Sequence, residues 1–66
     1  MDFSNLLKAQ WKQLRGKVKE QWGNLTDEDL DKVDGQFDQL VGLVQEKYEL
    51  TRGKAEAEVN KFLTDK

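Results

Sequence analysis

The chain of 66 residues contains no cysteine, no histidine and no proline. Without cysteine there is no disulfide and no thiolate metal site, and without histidine there is neither an imidazole ligand nor an ordinary general base near neutral pH. The absence of proline suits a nearly all-helical chain. A chain this short buries only about 60% of the surface that it exposes when unfolded, so we expect one small domain over residues 1–66 with a marginal core.

Long apolar runs are also lacking. No segment approaches the roughly 20 apolar residues that a transmembrane helix needs. The first five residues lack the basic stretch and apolar run of a secretory signal. We therefore expect a cytoplasmic protein without a membrane span.

The net charge is only -2, but the charged residues are unevenly distributed along the chain. Residues 1–22 carry five basic and two acidic side chains, whereas residues 23–39 carry one basic and six acidic. One interpretation is a basic face for an anionic partner, formed by Lys8, Lys12, Arg15 and Lys19. The other, which we favour, is that the two segments complement each other within one fold, because overall acidity disfavours nucleic acid as a partner.

A thirteen-residue segment occurs twice, since residues 10–22 align with residues 36–48 at six identical positions. Each copy is followed by Leu-Thr, at 25–26 and 50–51, and then by a polar segment of helical character. The repeat predicts helix, turn, helix, twice over. The predicted fold is all-α, a compact four-helix bundle of two packed helical hairpins at about 4–34 and 36–64.

The first helix is predicted from apolar residues at intervals of three and four, which form one stripe. These residues are Leu7, Trp11, Leu14, Val18 and Trp22. Asp2 and Ser4 are both candidates for its N-cap, and Gly23 is a natural left-handed residue to end it. The two Trp side chains could stack on nucleic-acid bases, but their place in the stripe favours core packing.

The later helix starts carry clearer signals. Thr26 fits an N-cap, with Leu25 and Leu30 at the two positions of a hydrophobic staple. Gly35 either breaks the chain between a second and a third helix or lies inside one long helix, and we favour the break. The sequence at 50–51 repeats the staple and N-cap pattern before the last helix.

Catalysis has little support in the sequence. The available hydroxyls and lysines have no histidine or cysteine to activate or replace them. Asp27, Asp31 and Asp34 share a helix face, but carboxylates near a helix N-terminus need no metal to explain them. We expect no enzyme activity, no cofactor and no metal.

Gly16 and Gly42 occupy equivalent positions of the repeat, in mid-helix and away from the apolar stripe. Ala9, Gly16 and Gly23 are spaced by seven and form a seam of small residues, and Gly35 and Gly42 repeat the first two of these positions. These seams are interpreted either as a close contact with the other hairpin or a partner, or as a bend in each long helix. The candidate interaction surface consists of Lys8, Lys12, Arg15, Lys19, Gly16 and Gly42.

The segments WKQL, GKVKEQWG, LTDEDL and DQLVG, at 11–14, 16–23, 25–30 and 38–42, resemble the CsbD-like family of small bacterial proteins associated with the general stress response. The resemblance implies two helical hairpins and expression under stress in the bacterial cytoplasm. It implies no reaction, because the family has no established catalytic or binding residues to carry over. Glu49 departs from the family pattern, in which glycine commonly follows the tyrosine, so the usual left-handed cap is not expected there.

The functional expectation is a non-enzymatic, monomeric stress-response protein with an unidentified protein partner or a general protective effect. The alternative is a binder of anionic surfaces, nucleic acid or lipid, through the basic face of the first helix.

Overall fold

The computed structural model describes residues 3–64, with side chains from residue 5 onward. Within that range the chain forms five α-helices and no strand, which confirms the all-α prediction. The helices are α1 (Phe3–Ala9), α2 (Trp11–Gln21), α3 (Asp27–Val33), α4 (Phe37–Lys47) and α5 (Arg52–Thr64). The predicted count of four was wrong, because the first predicted helix is divided.

The division lies at Gln10, whose φ of -111° and ψ of 17° leave the helical region. Hydrogen bonds continue across it, since Gln10 N donates to Leu6 O at 3.0 Å and Leu14 N donates to Gln10 O at 2.8 Å. On either side the neighbours differ, because α1 packs on α4 and α5 while α2 packs on α3. The break therefore lets one apolar stripe face two different sets of helices. Ser4 lies within α1 and not at the position before its first residue, and Asp2 lies outside the described residues.

The start of α3 confirms the prediction at Thr26. The Thr26 hydroxyl accepts from Asp29 N at 3.1 Å, and the Asp29 carboxylate accepts from Thr26 N at 3.1 Å. This reciprocal capping box satisfies two backbone donors that the helix itself leaves without partners. Leu25 and Leu30, the two staple residues, are both buried.

The break at Gly35 is also confirmed. Asp34 and Gly35 have φ angles of 46° and 80°, so two consecutive left-handed residues turn the chain between α3 and α4. A Cβ atom at Gly35 would lie 3.0 Å from Lys8 Cα and 3.1 Å from Trp11 Cβ. Glycine is required there both for the backbone conformation and for the close approach.

The ends of α2 and α4 differ from expectation. Gly23 does not adopt the left-handed conformation, because the chain already leaves the helix at Trp22, with φ -123° and ψ 83°. Glu49 does adopt it, with φ 52°, although a side chain makes that conformation unfavourable. The prediction that the left-handed cap would be missing was therefore wrong, and Glu49 takes the place of the glycine that is common in the family the sequence resembles. Thr51 then caps α5 as predicted, accepting from Lys54 N at 3.2 Å.

The core lies around α4, which packs against α1, α3 and α5. The buried apolar residues are Leu7, Trp11, Val18, Trp22, Leu25, Leu30, Val33, Leu40, Val41, Val44, Ala55 and Val59. Trp11 and Trp22 are only 8% and 5% exposed, which confirms their assignment to the core. No helix in residues 3–64 is long and apolar enough to cross a membrane.

Candidate interaction surfaces

Two of the four residues of the predicted basic face form ion pairs with carboxylates of the same chain. Arg15 Nη2 lies 2.9 Å from Asp31 Oδ1, and Lys19 Nζ lies 2.8 Å from Asp27 Oδ1. Both pairs join α2 to α3. The interpretation that the basic and acidic segments complement each other is confirmed for these two cations.

The other two members of the basic face remain exposed to solvent. Lys8 and Lys12 are exposed, and neither forms an ion pair with a carboxylate of residues 5–64. A surface that offered four cations in the sequence therefore offers two that are not already engaged in the described part of the fold. This reduces the electrostatic attraction available to a polyanion.

The acidic first turn of α3 is a junction between helices. Asp29, whose side chain is 16% exposed, lies 3.5 Å from Lys47 Nζ on α4. The hydrogen bond from Thr26 N is the main cause of a lowered pKa at Asp29, and Lys47 lowers it further. The pKa of Asp27 is also lowered, first by its hydrogen bond with Lys19. These carboxylates therefore stabilise the packing of α3 in their ionised form.

Of the glycines in the two small-residue seams, only Gly35 closely approaches another helix among the described residues, at Lys8 and Trp11. A Cβ atom built at Gly16, Gly23 or Gly42 would have nothing within 4 Å beyond the backbone of its own helix and its chain neighbours. Gly16 is exposed and Gly42 is half-buried. The close contact predicted for the seams therefore occurs at Gly35, and the use of the remaining glycines by a partner stays a prediction.

A groove that the sequence patterns do not reveal separates α2 from α5. The Cα atoms of these two helices approach within 8 Å nowhere along their length, and the space between them measures about 980 Å³. Its floor consists of Leu6, Leu14, Phe62 and Leu63, all half-buried. The ring of Phe62 also packs against that of Trp22, with centroids 5.2 Å apart and planes inclined by 55°.

The rims of the groove are polar. Gln10, Lys17 and Gln21 line one side, and Glu58, Lys61 and Thr64 line the other.

The sequence signal that could have predicted the groove is a pair of adjacent apolar residues at 6–7 and another at 62–63. Adjacent residues on a helix point about 100° apart, so a pair cannot face one core equally. Leu7 is fully buried, whereas Leu6 is left at the groove.

No group of three or more acidic residues that could hold a metal ion occurs in residues 3–64. The Tyr48 hydroxyl, a candidate nucleophile by residue type, accepts a hydrogen bond from Asn24 N at 3.2 Å. That bond joins the α2–α3 turn to the end of α4, which is a structural role.

The CsbD-like family model matches residues 5–57. The chain belongs to the CsbD-like family. A UPF0337 protein of Nitrosomonas europaea is 49% identical over 61 residues, which is 92% of this chain and 65% of that protein. A UPF0337 protein of Pseudomonas aeruginosa is 51% identical over 89% of this chain and 91% of its own length. The UPF0337 protein YjbJ of Escherichia coli K12 is 57% identical over 74% of this chain and 71% of its own length.

The chain thus spans just under two thirds of the Nitrosomonas relative and most of the Pseudomonas one. No solved structure matches it significantly. The CsbD-like match includes both copies of the internal repeat but ends at residue 57. The α5 side of the groove, from Glu58 to Thr64, lies beyond the matched residues.

Proposed function

We propose that this CsbD-like protein is a non-enzymatic helical domain of the bacterial stress response, acting in the cytoplasm by binding another protein. The observation that supports it is the groove between α2 and α5, where the apolar side chains of Leu6, Leu14, Phe62 and Leu63 lie together and are only partly buried. Contiguous apolar surface rimmed by polar residues is typical of protein interaction sites. The stress association follows from the family.

A non-enzymatic role is supported by residue chemistry. The sequence has neither histidine nor cysteine, and Tyr48 already accepts a backbone hydrogen bond. The described carboxylates with lowered pKa, Asp27 and Asp29, hold helices together and favour the ionised form. A general acid or base near neutral pH needs the opposite shift.

The competing proposal is general protection of unrelated proteins. Two experiments distinguish partner binding from general protection. One is affinity capture from stressed bacteria, and the other measures how much activity unrelated enzymes keep after drying. We expect the wild-type chain to capture a defined partner and Leu63→Glu to lose it. Ala57→Glu places the same side chain at an exposed position of α5 outside the groove, and should retain it. Survival of unrelated enzymes without any captured partner would contradict the proposal.

The anionic-surface alternative depends on Lys8 and Lys12, because Arg15 and Lys19 already pair with carboxylates of α3. Binding by lysines to nucleic acid or charged lipid should weaken steeply with salt. We expect no binding of duplex DNA, RNA or anionic vesicles even at low salt. Salt-sensitive binding that is lost in a Lys8→Glu, Lys12→Glu double variant would support the alternative instead.

A further inference from the structure

The groove between α2 and α5 has a volume of about 980 Å³, which lies at the upper end of the range of roughly 300–1,000 Å³ found for ligand pockets. Directly packed helices have interaxial distances of about 8–10 Å, and no Cα atoms of α2 and α5 lie within 8 Å of each other, so these two helices do not pack directly on each other.

The floor has the chemistry that an amphipathic helix requires. Leu6 and Leu14 contribute from one side, and Phe62 and Leu63 from the other. Because all four are only half-buried, an apolar stripe at positions i, i+3, i+4 and i+7 of an added helix would complete their burial. Such burial is the main favourable contribution to helix-in-groove binding.

The charges of the residues at the rims of the groove indicate which charge a bound helix should carry. Lys17 and Lys61 stand on opposite sides, and neither pairs with a carboxylate of residues 5–64. Glu58 is the one acidic residue among the described lining residues, so the lining carries a net charge of +1 from two lysines and one glutamate. Two cations flanking an apolar floor complement a helix with carboxylates on both sides of its apolar stripe.

A second copy of this chain has less free apolar helix surface with which to fill the groove. The apolar stripes of its own helices already face the core, including those of α2 and α4. A partner protein whose helix is not committed to its own core meets the requirement better.

Resting on the proposed function, we propose that the groove between α2 and α5 binds an acidic amphipathic helix of a partner protein. The apolar stripe of that helix lies on Leu14 and Phe62, and its carboxylates pair with Lys17 and Lys61.

The test uses the full 66-residue chain and synthetic peptides of about 14 residues, roughly four helical turns. The probe carries leucines at i, i+3, i+4 and i+7 with flanking glutamates. One control peptide has the same composition in scrambled order, and a second carries lysines in place of the glutamates. Amide chemical shifts of the labelled protein identify the binding residues and give the dissociation constants.

We expect saturable shifts at the lining residues with the acidic peptide, and binding weaker by about tenfold or more with the lysine peptide. A Lys17→Glu, Lys61→Glu double variant should reverse that preference. Lys32→Glu with Lys54→Glu makes the same change in charge at exposed lysines outside the groove, and should retain it.

The proposal is overturned if about 1 mM acidic peptide produces no shifts at the groove, or if the scrambled and lysine peptides bind equally well. It is also overturned if dodecanoate, but not the peptide, occupies the groove, or if sedimentation shows a dimer closed through Leu14 and Phe62. A partner captured through Leu63 while the acidic peptide fails to bind would leave the proposed function standing and reject this inference alone.

Discussion

The backbone of Gly35 lies directly against that of Lys8, because a Cβ atom at Gly35 would come within 3.0 Å of Lys8 Cα. The contact packs the turn between α3 and α4 onto the junction of α1 and α2. Since the neighbouring atoms are a Cα and the Cβ of Trp11, they belong to the rigid part of the structure and cannot swing aside as the end of a long side chain would.

Gly35→Ala should therefore lower the free energy of unfolding by about 2–4 kcal/mol, combining the cost of a side chain at positive φ with that of overpacking. Urea titration followed by tryptophan fluorescence measures this directly, because both indoles are buried in the folded chain. A variant as stable as the wild type would show that the close approach at Lys8 is wrong.

Gly16→Ala and Gly42→Ala should act in the opposite direction. Both lie inside helices, and beyond the chain neighbours and the backbone of the same helix nothing of the described chain lies within 4 Å of an added Cβ. Alanine should raise the free energy of unfolding by up to about 1 kcal/mol at each position. The same variants also test whether a partner contacts these two glycines. If the glycines serve only to bend their helices, both variants should still capture the partner. Loss of capture at unchanged fold would instead assign the seam to an interface.

Glu49→Gly should stabilise the chain by about 0.5–1 kcal/mol, because glycine adopts the left-handed conformation of this residue without steric cost. The matched control is Glu56→Gly, where the same substitution falls inside α5 and should destabilise by about 1 kcal/mol. Thermal unfolding of the two variants beside the wild type measures both effects. If both substitutions destabilise equally, the turn before α5 does not require a left-handed residue.

Stability should decline in acid through the carboxylates of α3. The pKa values of Asp27 and Asp29 lie below the ordinary 3.8 in the folded chain, so the unfolded chain binds protons more readily as pH falls. Their contribution is fully present above the ordinary pKa and is lost as pH falls below it through the folded values. Asp29→Asn should flatten this decline in urea titrations at a series of pH values. Glu56→Gln, at an exposed site without an ion pair in the described chain, should follow the wild-type curve.

The features predicted correctly from sequence are those set by local chemistry. A threonine before three acidic residues is sufficient to predict the cap at Thr26, and helical spacing is sufficient to place Trp11 and Trp22 in a core. The break at Gln10 follows instead from tertiary packing, since the apolar stripe runs through it without glycine or proline. The groove was missed for the same reason. It exists because α2 and α5 stay apart, which depends on how the helices pack rather than on either helix alone.

The function proposed for this CsbD-like chain requires a protein partner bound between α2 and α5. Photo-cross-linking in bacteria tests this most directly. A photoreactive amino acid replaces either Gln21, on the groove rim, or Gln39, an exposed glutamine of α4 outside the groove. Illumination of stressed bacteria producing each full-length variant should give a discrete cross-linked protein from position 21 and none from position 39. No cross-link at position 21, or equal yields at both positions, would contradict the proposed function.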